Sequence, residues 1–182
     1  VADGVVVLEQ VEAAEVGVMG PPVYAALTSL RRQRSNTPVL ADSRRSLDGY
    51  PSLSFKWNQV EFLRAQGLAA ATDRATLEAR LGAVAQSAGC PVFVTLAQEG
   101  ILGANAEGAV RHHPAWPVRG PIDVVGCGDA VSAALLSILA AGGSVEEALE
   151  WAMASASLVL HQVGTTGVPS YDGLRDLLLA RR

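Results

Sequence analysis

Three short runs of this chain are apolar almost throughout rather than alternating: Gly4-Val5-Val6-Val7-Leu8, Pro38-Val39-Leu40-Ala41-Asp42 and Pro91-Val92-Phe93-Val94-Thr95-Leu96. A strand with one wet face alternates apolar and polar residues. A strand that is apolar on both faces must be covered on both, and parallel sheets flanked by helices meet that condition. Helical patterns follow the runs. Pro21-Pro22 opens a helix where a missing N–H is harmless, with Tyr24, Leu27 and Leu30 facing inward. Asn58 caps a helix through Phe62 and Leu63, and Ser52 to Trp57 reads as its lead-in. Thr72 or Asp73 opens a helix with a Leu77, Leu81, Val84, Ala85, Ala88 stripe, which Gly89 ends. Ile101–Ala104 and Ala109–His113 read as a hairpin, and Ser144-Val145-Glu146-Glu147 as a capping box. Ser170 caps a last helix through Leu174, Leu177 and Leu178. The expected fold is α/β, a mostly parallel sheet covered by helices on both faces, as one domain over 1–182.

Composition narrows the function classes. The 182 residues are 49% hydrophobic, enough for one sizeable core, but only 5% aromatic, so that core is mainly Ala, Val and Leu. A net charge of −4 leaves no basic footprint for nucleic acid. The clusters Arg31-Arg32-Gln33-Arg34, Arg44-Arg45 and Arg181-Arg182 are short and read as solvated ends. Cys90 and Cys127 have no paired spacing, so reduced thiols in a cytoplasmic protein are expected, without a disulfide or zinc site. No uncharged apolar run approaches the roughly 18 residues of a membrane span, and no signal peptide is evident. The chain begins with Val1 and a strand already under way, which suggests the middle of a longer protein, truncated at its N-terminus, or a processed or split chain.

The chemistry concentrates in Asp123-Val124-Val125-Gly126-Cys127-Gly128-Asp129 and the apolar helix behind it. Two glycines let the backbone turn tightly and aim successive N–H groups outward, and the helix adds its positive end. Asp129 beside such an anion site suggests acid–base work next to a transferring phosphate. It fits an ordinary helix cap equally well. Asp42-Ser43-Arg44 ends a strand where open α/β sheets bind ligands, or else forms a loop salt bridge. Asn58 and Glu61 have capping-box spacing, yet the same pair could present an amide and a carboxylate to magnesium-bound water and phosphate. Thr95, Gln98, Glu99 and Gly100 crowd one strand end, and Gln162 to Pro169 forms a glycine-rich loop. The neighbouring histidines His112 and His113 point opposite ways on a strand and read as surface residues.

With Asn58-x-x-Glu61, Val94-Thr95-Leu96 and Gly126-Cys127-Gly128-Asp129 in this order, the chain resembles the C-terminal part of the ribokinase/PfkB sugar kinase family. Within it, Asp42-Ser43-Arg44-Arg45 and Val5 to Leu8 look most like the kinase domain that phosphorylates heptose phosphate for ADP-heptose synthesis. The resemblance implies a ribokinase-like fold and ATP-dependent phosphoryl transfer to a sugar or sugar phosphate hydroxyl. It assigns the general base to Asp129 and the anion hole to Gly126, Cys127 and Gly128. It places Asn58 and Glu61 in the magnesium region, Glu61 acting through water. Thr95, Gly100, Asp123 and Gly164 belong to its nucleotide cleft. ATP and Mg2+ are the implied cofactors, with a monovalent cation near the anion hole as a further one. No nucleic-acid or membrane partner is expected, and a homo-oligomer is left open. Ala97 stands where the family has a glycine near the phosphates, Val124 replaces Thr, and Lys56-Trp57 precedes Asn58 where Pro is common. The alternative is a non-catalytic nucleotide-binding or scaffold remnant that lacks the sugar half.

Overall fold

The computed structural model describes residues 2–11, 17, 19–44 and 50–180. Arg45, Arg181 and Arg182 of the basic clusters lie outside the described residues, as do 12–16 and 18 of the segment after the first strand. The elements are β1 (Val5–Glu9), α1 (Pro21–Gln33), β2 (Val39–Ser43), β3 (Ser54–Asn58), α2 (Gln59–Ala65), α3 (Arg74–Ala88) and β4 (Val92–Thr95). A 3-10 turn (Ala97–Glu99), β5 (Ile101–Ala104), β6 (Val110–His113), α4 (Cys127–Ala140), α5 (Val145–Leu160) and α6 (Tyr171–Leu179) complete the described fold.

The six strands form one sheet in sequence order. β1 to β4 run parallel, and β5 and β6 add an antiparallel hairpin at the edge. The α/β expectation holds, with one correction: Ser54–Asn58 is a strand, not a lead-in to the next helix. Its polar residues interrupt the apolar run that marks the other buried strands. Lys56 lies directly opposite Asp42 of β2 in the register, so charge pairing inside the sheet replaces hydrophobicity there.

Local signals set the helix boundaries. Asp73 accepts from the Thr76 amide at the start of α3, and Gly89 ends that helix in the left-handed conformation. Ser144 and Glu147 close a reciprocal capping box on α5, and Ser170 caps α6. The helices divide between the two faces of the sheet. On one face Trp57, Phe62, Leu77, Leu81, Val92 and Val94 are buried with α1, α2 and α3 over them. On the other, Leu40, Phe93 and Ile101 pack on Val131, Leu135, Leu149 and Met153 of α4 and α5. Each large side chain so buried contributes about 1.5–3 kcal/mol. The two layers hold the carboxyl ends of β2, β3 and β4 next to the start of α4.

Candidate functional site

The carboxyl ends of β3 and β4 and the first turn of α4 open on a cavity of about 610 Å³. Asn58 and Thr95 are register partners on adjacent strands, and both line it. Thr95 Oγ1 donates to the Trp57 carbonyl at 3.4 Å, which fixes its rotamer. Gly100, Cys127 and Gly128 line the same cavity, while Glu61, Asp123, Gly126, Asp129 and Gly164 stand outside its lining. Most of the remaining wall is apolar: Trp116, Val118 and Ile122 from the segment before α4, and Met153, Ala156 and Leu160 of α5.

Asn58 and Glu61 are engaged with each other's backbone. The Glu61 amide donates to Asn58 Oδ1 and the Asn58 amide to Glu61 Oε2, both at 2.9 Å. The capping reading is therefore realised. It also leaves the Asn58 amide nitrogen and the second Glu61 oxygen without a partner among the described residues.

Asp129 does not cap α4. The N-cap is Gly126 at φ 83, with no side-chain cap bond, and Asp129 is the third residue of the helix. Its carboxylate is exposed and has no hydrogen-bond or ion-pair partner among the described residues. Gly126 is required twice. Its φ suits glycine, and a Cβ there would lie 2.9 Å from Thr166 Cγ2. The turn is tied to the glycine-rich loop by Asp123, whose Oδ1 accepts from the Val125 amide and Oδ2 from the Gly164 amide, each at 3.0 Å. Those two backbone donors, Val125 foremost, hold the Asp123 carboxyl below the usual range. Asp123 and Gly164 are thus joined to each other rather than presented to the cavity.

The Cys127 thiol lies 3.8 Å from the carbonyls of Asp123 and Ala156. Partial burial, and then the charge of Asp123, push its pKa up, so it stays a thiol. Gly100 has φ 100, and a Cβ there would stand 2.1 Å from the His113 carbonyl, so no side chain fits. Ala97 is, among the described residues, the one non-glycine with positive φ, at 51°, and its exposed methyl lines the cavity. That conformation costs an L-residue about 1–2 kcal/mol.

Sequence reasoning missed Lys56 and Ser132 as members of this region. Asp42 is buried, and its partner is Lys56 Nζ at 2.5 Å rather than the neighbouring Arg44. Ser132 Oγ, on the second turn of α4, lies 2.9 Å from Asp42 Oδ2 and 3.1 Å from the Gly128 carbonyl, two acceptors within reach of its one proton. A lysine inside a strand and opposite a strand-end aspartate was the available signal. His112 Nε2 donates to the Glu99 carbonyl at 2.7 Å on the surface. Among the described residues no group of three His, Cys, Asp or Glu side chains could hold a metal directly, and no helix is long and apolar enough to cross a membrane.

Fold and turn together define an α/β fold with a glycine-bounded helix start at the carboxyl edge of its parallel strands. The chain belongs to the pfkB family of carbohydrate kinases, whose model matches residues 8–170. It is 34% identical over 158 residues to bifunctional protein HldE of Rhodospirillum rubrum and 36% identical over 154 residues to that of Azorhizobium caulinodans. These alignments cover 86% and 84% of this chain but 32% of each relative, so the chain spans about a third of their length. Among solved structures, Arabidopsis thaliana ribokinase complexed with ribose and ATP superposes with a TM-score of 0.77 at 21% identity, over 97% of this chain and 56% of that one. Phosphofructokinase-2 from Escherichia coli in complex with potassium gives 0.76 at 22% identity, over 90% and 53%. The ribokinase-like fold follows from these likenesses.

Proposed function

We propose that residues 1–182 form one domain that binds ATP and carries out phosphoryl transfer to a hydroxyl of a sugar or sugar phosphate. The observation that carries the reading is the unengaged Asp129 carboxylate on the first turn of α4, beside the Gly126–Gly128 turn. The nucleotide ring lies against the apolar lining of the cavity, and its phosphates run toward the turn that Gly126, Cys127 and Gly128 form at the start of α4. Asp129 accepts the proton of the acceptor hydroxyl as the new O–P bond forms and the bond to the ADP oxygen breaks. Magnesium, when bound, neutralises charge on the phosphates. Asn58 and Glu61 would hold its water through the polar atoms that their capping box leaves over. A monovalent cation, when bound, would lie near the same turn.

The test is Asp129→Asn in the full-length protein. It should lower turnover on the order of 10²–10⁴-fold and leave Mg·ATP affinity within about twofold. Unchanged turnover would remove Asp129 from the role. A second reading, nucleotide binding without transfer, is favoured by Ala97, whose methyl occupies the cavity wall in a strained conformation. It predicts no turnover in the full-length protein with or without Asp129.

A further inference from the structure

Lys56 carries a buried charge in this region that a single ion pair does not fully engage. It is 6% exposed, and its ammonium carries three N–H donors. Among the described residues its one partner is Asp42 Oδ2. A buried ion pair is a poor source of stability, because desolvation offsets most of the Coulomb gain, and leftover donors make it poorer. The ammonium sits beside the turn of the proposed anion hole: a Cβ built on Gly128 would have Lys56 Nζ as its nearest neighbour, at 3.7 Å. Gly128 itself is exposed at the cavity wall. Asp42 fixes one N–H, and the Ser132 hydroxyl can donate its one proton either to Asp42 or to the Gly128 carbonyl, which sets the pair next to the turn.

We infer that Lys56 is a phosphate-binding residue of this site: its remaining N–H donors reach past Gly128 to the terminal phosphate of the nucleotide, with Asp42 and Ser132 as the positioning residues. The inference rests on the proposed ATP site, and places a fixed cation at the phosphoryl group that is transferred. Such a charge-assisted contact acts on the terminal phosphate and not on ADP.

Single neutralisation of Lys56 would strand the buried Asp42, so the test uses the pair Lys56→Met with Asp42→Asn, whose folding is checked by thermal melting. Wild type and variant are titrated calorimetrically with Mg·AMP-PNP, Mg·ADP and inorganic pyrophosphate. The expected result is a loss of at least tenfold in affinity for AMP-PNP, with ADP affinity within about twofold. Equal AMP-PNP affinity in wild type and a folded variant overturns the role of Lys56 and leaves the ATP site standing. Pyrophosphate binding that needs the pair, in a chain that binds neither nucleotide, keeps Lys56 as a phosphate ligand and overturns the ATP reading. Absence of all binding to the folded wild type overturns both. An unfolded pair variant is replaced by Lys56→Gln with Asp42→Asn, judged by the same ratios.

Discussion

The two faces of the sheet are built from different chemistry. Under α1–α3, five rings form a chain, Tyr24, Tyr50, Phe55, Trp57 and Phe62, with successive centroids 5.0 to 5.7 Å apart. Under α4 and α5 the buried set includes Asp42, Lys56, Ser132 and Ser155 among smaller apolar residues. In a chain only 5% aromatic, most of that surface sits where no ligand is proposed. That face is given mainly to stability, although it also buries the Glu9 carboxylate, which accepts from the Ser43 and Tyr50 hydroxyls. The other carries paired charges that cost desolvation and hold the start of α4 in place. Strand β3 serves both, because its alternation turns Phe55 and Trp57 to the first face and Lys56 to the second.

The largest effect that would sharpen this contrast is Phe62→Ala. Phe62 is fully buried in the aromatic face, and its truncation should cost about 3–5 kcal/mol in chemical denaturation. The paired change at Asp42 and Lys56 should cost much less, since a neutral pair replaces a buried ionic one. Similar losses in the two variants would erase the division of labour. A smaller effect comes from Ala97→Gly. Relief of its positive φ, partly offset by added freedom in the unfolded chain, should stabilise by about 0.5–1 kcal/mol in the same assay. A loss of stability there would mean that the methyl packs rather than strains.

The smallest effect is confined to acid. The Asp123 pKa is lowered in the folded chain, so its contribution is present above the ordinary carboxyl pKa of about 4 and is lost as pH falls through the lower folded value. Asp73 and Glu147, held low by the amides of Thr76 and Ser144, act in the same sense at their helix starts. The Gly164 amide resonance should titrate with a midpoint below the ordinary aspartate value. A midpoint at or above it would remove the tie between turn and loop.

Much of this was legible in the sequence because local rules wrote it. Continuous apolar runs marked three of the four parallel strands. The spacings Asn58-x-x-Glu61 and Ser144-x-x-Glu147 marked caps that the backbone uses as expected. The glycines of the central turn were readable for the same reason. Strand β3 was not legible, because its lysine balances a charge 14 residues away in sequence, and hydropathy sees only a polar interruption. Asp129 could be read as a cap or as a free carboxylate. The choice depended on which residue takes the N-cap, and Gly126 takes it. The tie between Asp123 and Gly164, 41 positions apart, likewise needed the folded geometry.

The central claim is that nucleotide phosphates sit on the turn at the start of α4, and Gly128→Ala tests it most directly. A Cβ at Gly128 meets no protein atom closer than Lys56 Nζ at 3.7 Å, so the variant should fold with unchanged or slightly raised stability. Its methyl would nevertheless stand where the phosphates approach the amides. Calorimetric titration with Mg·ATP should then show saturable binding to the wild-type chain and at least tenfold weaker binding to Gly128→Ala. Equal affinity in the two proteins would place the nucleotide elsewhere and contradict the account.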